Sequence, residues 1–96
     1  MTRDELVRIL GEHRSELDAL GVQSLALFGS MARDEAGPES DVDFLVEFND
    51  LPTFDRYMGL KLLLEDVLGR RVDLVLREDL KPRIRDRILG EAIPAA

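Results

Sequence analysis

The chain has 96 residues, a formal net charge of −7 and no cysteine, which excludes disulfides, zinc-thiolate sites and thiol nucleophiles together. Residues 1–50 hold 12 acids and 4 bases (−8) and residues 51–96 hold 8 acids and 9 bases (+1), so no broad basic footprint exists to displace the counterions of a nucleic-acid backbone, and direct stable nucleic-acid binding is not expected. The charged start Met1-Thr2-Arg3-Asp4-Glu5 and the lack of any apolar run near the ~20 residues of a membrane span predict a cytoplasmic protein without membrane attachment.

In chain order, Leu6, Leu10, Leu17 and Leu20 recur at helical spacing and Gly21 stands where a helix would end, which predicts one amphipathic helix over 3–20. His13 falls on the same stripe and reads as a packed or partly exposed histidine. The apolar run Leu25-Ala26-Leu27-Phe28 predicts a buried strand, broken by Gly29 before the helix-compatible Met31-Ala32-Arg33. Residues 36–40, with Gly37-Pro38, read as a loop.

From Val42 to Phe48 nearly every position beyond the aspartates is apolar, as in a strand covered on both faces. Residues 54–68 form a leucine-rich helix ended by Gly69, in which Tyr57 reads as a core aromatic with its hydroxyl at the edge. Arg71 to Leu76 predicts a third strand, with Val72, Leu74 and Leu76 on one face and Asp73 and Val75 on the other. Pro82 suits a first helical turn, and Ile84, Ile88 and Leu89 supply the last helix with an apolar stripe. Arg77, Lys81, Arg83, Arg85 and Arg87 around it read first as a solvated face. The order α-β-α-β-α-β-α predicts an α/β fold, a small sheet of about three strands flanked by helices. With no repeat, low-complexity tract or linker, residues 1–96 read as a single domain, too small for an enclosed two-lobed cleft.

Two features carry chemistry. Asp41 and Asp43, two apart at the head of a strand, point the same way, roughly 6 to 7 Å apart at the backbone. Two carboxylates so placed call for a hard cation such as Mg²⁺, which takes one or two carboxylates together with substrate phosphates. Gly29 lets backbone approach a ligand without a Cβ in the way, and Ser30 adds an N–H and a hydroxyl. Asp73 is a third acid in an otherwise apolar strand, where burial is expensive unless the group is paired or metal-bound. Its bland reading is a pair with Arg70 or Arg71. Three carboxylates beside a phosphate turn predict phosphoryl or nucleotidyl transfer with two metal ions.

The stretch Phe28-Gly29-Ser30-Met31-Ala32-Arg33, followed by Ser40-Asp41-Val42-Asp43-Phe44-Leu45-Val46-Glu47-Phe48 and later by Val72-Asp73-Leu74-Val75 and Leu80-Lys81-Pro82, resembles the nucleotidyltransferase superfamily that includes DNA polymerase β. Within it, the closer likeness is to the minimal nucleotidyltransferase (MNT) antitoxins. One departure is Asp34, where many relatives carry glycine. The resemblance implies the polymerase β-like fold, a metal and catalytic set of Asp41, Asp43 and Asp73, and a nucleotide-binding set of Gly29, Ser30, Arg33 and Ser40. It implies Mg²⁺, two ions, with ATP as donor, and a HEPN-domain ribonuclease toxin as partner in a type VII-like toxin–antitoxin pair. The implied reaction is transfer of AMP to a tyrosine of that toxin. Two alternatives stand beside it: an antitoxin that neutralises by binding alone, and an adenylyltransferase of small molecules of the antibiotic-modifying type.

Overall fold

The computed structural model describes residues 2–33, 35, 37 and 40–96. The expected loop over 36–40 and the departure at Asp34 lie wholly or partly outside the described residues. Two short helices open the chain, α1 (Arg3–Glu12) and α2 (Arg14–Ala19). Thr2 caps α1 by accepting from the Glu5 N–H at 3.2 Å, with Asp4 and Glu5 favourably placed in the first turn. The single helix expected over 3–20 is interrupted at His13, whose φ of −108° and ψ of 21° leave the helical range. The interruption keeps Leu6, Leu10 and Leu17 on one buried face, which is why the leucine spacing alone does not betray it.

Strand β1 (Val22–Phe28) is three residues longer than its apolar run and leads into the single turn α3 (Gly29–Ala32). A register shift between Val22 and Ser24 restarts the alternation, so Val22 is buried along with Leu25 and Leu27. Strand β2 (Val42–Phe48), helix α4 (Phe54–Leu68) and strand β3 (Val72–Leu76) follow. Thr53 caps α4 by accepting from the Arg56 N–H at 3.1 Å, and Gly69, at φ +63°, ends it in the left-handed conformation. A 3₁₀ turn (Arg77–Asp79), helix α5 (Pro82–Glu91) and a two-residue strand β4 (Ile93–Pro94) complete the order.

The sheet therefore has four strands rather than about three, in the order β3-β2-β1-β4. It is mixed: β1 pairs antiparallel with β2 and with β4, and β2 pairs parallel with β3. On its first face, Val42, Phe44 and Val46 of β2 and Val72 and Leu74 of β3 pack with Leu6, Leu10, Leu60, Leu64 and Leu68 in the main core. The second face is apolar only at its middle, where Leu45 meets Leu80 and Ile88, with Ala26, Phe28, Val75 and Leu89 around them. Ile84 does not join that stripe fully and stays 37% exposed. By strand alternation, Asp43, Asp73 and Glu47 belong to this second face, and α5 covers the ground between its two polar ends.

Candidate active site

Register brings the site together. Phe28 lies opposite Asp43 across the β1–β2 pair, and Asp43 lies opposite Asp73 across β2–β3. Hence the residue after Phe28, Gly29, lands beside the Asp43 carboxylate. Gly29 has φ +73°, and a Cβ built on it would overlap Asp43 Oδ2. Glycine is needed twice over here, for conformation and for room. Asp43 is half-buried, and burial pushes its carboxyl above the ordinary carboxylate range, with the charges of Asp73 and then Asp41 adding to the rise; Arg33 opposes it.

Asp41 and Asp73 are exposed. Asp41 has a loose, solvated approach to Arg71 Nε at 3.9 Å. Asp73 does not pair with Arg70 or Arg71: Arg70 donates instead to the carbonyls of Gly37 (2.7 Å) and Ser40 (3.2 Å), and among the described residues Asp73 has no ion pair. Asp43 and Asp73 are in register on neighbouring strands, and the charges of Asp73 and Asp41 both act on Asp43. Even so, among the described residues no three carboxylate or imidazole side chains are drawn close enough to ligate one ion. The set contains only oxygen donors, suited to a hard divalent ion that completes its shell with phosphate oxygens rather than with a protein cage.

Of the expected nucleotide contacts, Gly29 presents its N–H on the second face, and Ser30 follows it in α3, half-buried. Ser40 Oγ accepts from the Gly37 N–H at 2.9 Å. Arg33 is exposed and donates to Glu35 Oε2 at 3.2 Å and to both oxygens of Glu91 at 3.3 Å; these two acids raise its pKa above the usual value. Glu91, at the end of α5, also accepts from the Gly29 N–H at 3.0 Å. Sequence reading missed this residue, because it lies far from Gly29 in the chain and no spacing links them. Arg3 was likewise unmarked; its Nη1 donates to the Ala32 carbonyl at 2.9 Å and anchors the end of α3.

On the supporting side, Tyr57 of α4 donates its hydroxyl to the carbonyl of Leu74, the neighbour of Asp73, and Glu65 of the same helix accepts from the Val72 N–H at 3.0 Å. The outer edge of β3 is thus partly closed by side chains. The tyrosine hydroxyl titrates above its ordinary value through burial first, then the charges of Asp73 and Asp79. At the far end of the second face, Arg77 pairs with Glu47 at 2.6 Å, while Lys81, Arg83, Arg85 and Arg87 are exposed as a solvated face. Among the described residues, one concavity of about 420 Å³ lies between Pro52–Phe54 and Leu74–Leu76 and another of about 290 Å³ lies by Ser24, Glu47 and Arg77; neither is lined by Gly29, Asp41, Asp43 or Asp73. Of the site residues, Asp41 and Asp73 are exposed, and Gly29 and Asp43 are half-buried.

Residues 6–94 match the nucleotidyltransferase domain family. The chain is 40% identical over 94 residues to the protein adenylyltransferase MntA of Thermococcus cleftensis, covering 97% of this chain and 95% of that one. A solved structure described as a minimal nucleotidyltransferase superposes with a TM-score of 0.85 at 40% identity, over 98% of this chain and 96% of the other. More distantly, at 18% identity and a TM-score of 0.59, the fold matches a chain from a complex of tri-AMPylated Shewanella oneidensis HEPN toxin with MNT antitoxin, over 90% of this chain and 71% of that one.

Proposed function

We propose, from the premise that the chain belongs to the nucleotidyltransferase domain family, that it transfers AMP from ATP to a tyrosine hydroxyl of a HEPN ribonuclease toxin and so acts as that toxin's antitoxin. The observation that carries this is the seating of Gly29 against the Asp43 carboxylate, with Asp73 in register on the next strand. The 40% identity to a protein adenylyltransferase supports the donor and the class of acceptor, and the exposure of Asp41 and Asp73 suits a hydroxyl presented by another macromolecule. The setting is cytoplasmic, where ATP is supplied; among the described residues no helix is long and apolar enough to cross a membrane.

In this reading Asp41 and Asp43 would hold Mg²⁺, and Asp73 would complete the set or take the proton of the attacking hydroxyl. Mg²⁺, two ions in this reading, would supply charge neutralisation to the reacting groups. The Gly29 N–H and the Ser30 group lie against the triphosphate, and Arg33 and Ser40 border it. The bond from the α-phosphorus to its bridging oxygen breaks, pyrophosphate leaves, and a bond from the tyrosyl oxygen to phosphorus forms. Because Asp43 is the most desolvated of the three acids, it is the group whose charge most needs a cation.

The test is transfer of label from α-labelled ATP to the toxin, with Mg²⁺ present. Wild type should label the toxin, and Asp43→Asn should lose at least about two orders of magnitude of rate, the scale set by removal of a group that stabilises developing charge. Undiminished labelling by a folded Asp43→Asn protein would refute the assignment, and neutralisation of the toxin without ATP would point to binding alone.

A further inference from the structure

Glu91 brings a carboxylate to the place where the proposed site would receive a phosphate. It lies 62 positions from Gly29 in sequence, yet its Oε1 accepts from the Gly29 N–H at 3.0 Å and both its oxygens accept from Arg33 Nη1 at 3.3 Å. A main-chain N–H and a guanidinium converging on one two-oxygen anion form the donor set that also recognises a phosphate group. The carboxylate sits among other acids, and its charge is one of those that oppose ionisation of Asp43. The Glu91 side chain keeps an outlet to solvent, at 25% exposure, and among the described residues the partners of its carboxylate are the Arg33 side chain and the Gly29 N–H. Helix α5 is fastened to the sheet through Ile88 and Leu89, with Leu80 packed just ahead of it, so the carboxylate can leave by side-chain rotation while the helix stays docked.

We propose that Glu91 is an internal competitor for the Gly29–Arg33 anion cradle, so that nucleotide enters only after the Glu91 carboxylate has swung away. The proposal rests on the nucleotide reading of the Gly29 turn and adds to it a resting, self-occupied state. A ligand that binds only the open state has its affinity lowered by the fraction of molecules that are open; if about one molecule in ten is open, the loss is about tenfold. The contact then sets the ATP concentration at which the protein charges.

Titration calorimetry with ATP and Mg²⁺ on wild type, Glu91→Gln and Glu35→Gln tests this. Glu91→Gln should bind ATP about five- to tenfold more tightly, as expected when a competing closed state is weakened. Glu35→Gln removes the same charge from the neighbourhood of Arg33 without touching Gly29, and should change affinity by less than about twofold, as for an exposed pair. The backbone amide resonance of Gly29 should move on adding ATP to wild type, and should also move in ligand-free Glu91→Gln. Equal tightening in both variants overturns the proposal, because charge alone then accounts for it. Unchanged or weaker binding by folded Glu91→Gln overturns it too, and makes Glu91 a brace for Arg33. If Glu91→Gln does not fold, Glu91→Asp, one methylene too short to keep the reach, takes its place with the same expected and opposing outcomes. Absence of ATP binding in wild type and every variant removes the nucleotide reading itself, an outcome distinct from wild-type binding that Glu91→Gln leaves unaltered.

Discussion

Gly29 and Asp43 are one unit at the scale of single residues, since the φ of +73° and the space taken by the carboxylate both forbid a side chain on the glycine. Gly29→Ala should cost at least roughly 1 to 2 kcal/mol for the left-handed conformation alone, lowering Tm by about 4 to 8 °C per kcal/mol in a chain of this size, and should push Asp43 out of place and abolish transfer. Gly11 is the control: it lies inside α1 with nothing near its missing Cβ, so Gly11→Ala should stabilise by roughly 0.5 to 1 kcal/mol. Wild-type melting and activity in Gly29→Ala would contradict the account. Asp43 makes a second prediction. Its carboxyl is held high by burial, then by Asp73 and Asp41, so it binds its proton more firmly in the folded chain than in the unfolded one. Its contribution therefore favours folding below the ordinary carboxylate range and is lost as pH rises through the elevated folded value. At pH 7 without Mg²⁺, Asp43→Asn should melt above wild type, with the gap closing in acid; melting below wild type at pH 7 would show that the charge is not a burden. The Gly29-Ser30 and Asp41-Val42-Asp43 pattern was legible because both features are local in sequence. Glu91 was not, because its partnership depends on where α5 ends on the sheet.

Secondary-structure elements were legible to the degree that a period or a stop signal marked them. Helix α4 occupies its expected span because Thr53 and Gly69 cap it at either end, and β2 because its apolar run is unbroken from Val42 to Phe48 apart from Asp43 and Glu47. The break at His13 was hidden by leucines that keep to one face on both sides of it. Strand β4 has two residues, too few for a period, and owes its place to pairing with β1: the Ala95 and Ala96 N–H groups donate to the Leu25 carbonyl at 2.8 and 3.1 Å. The antiparallel and parallel pairings of β2 arise from contacts that no single segment encodes. Helix α4 also positions β3, which yields two element-scale expectations. Thr53→Ala should cost about 1 kcal/mol by loss of the cap. Tyr57→Phe should cost roughly 0.5 to 1.5 kcal/mol by loss of the hydrogen bond to the Leu74 carbonyl, and because Leu74 adjoins Asp73 it should also slow transfer. Chemical denaturation gives the first quantity and label transfer the second; a Tyr57→Phe protein unchanged in both would show that β3 is held without the Tyr57 hydrogen bond.

For the whole molecule, the uneven charge has a consequence that binding should reverse. The acidic first half contributes Asp41 and Asp43, the nearly neutral second half contributes Asp73, and the fold sets Asp43 in register with Asp73 while the charge of Asp41 acts on Asp43. Without a cation their repulsion opposes the folded state; a cation and a polyphosphate bound together would relieve it. A ligand that binds only folded protein stabilises it by about 1.4 kcal/mol at ten times its Kd and by about 2.7 kcal/mol at a hundred times. Mg²⁺ with ATP should accordingly raise Tm by several degrees, a larger rise than either gives alone, since the metal and the phosphates complete each other's shells. Asp43→Asn should start from a higher ligand-free Tm and show little further rise, because the carboxylate that most needs neutralising has gone. Thermal melts of both proteins across a matrix of Mg²⁺ and ATP concentrations separate the two effects. An equal ligand-induced rise in wild type and Asp43→Asn would place the nucleotide and its metal away from Asp43, and the surface beside Gly29 would lose its claim to be the active site.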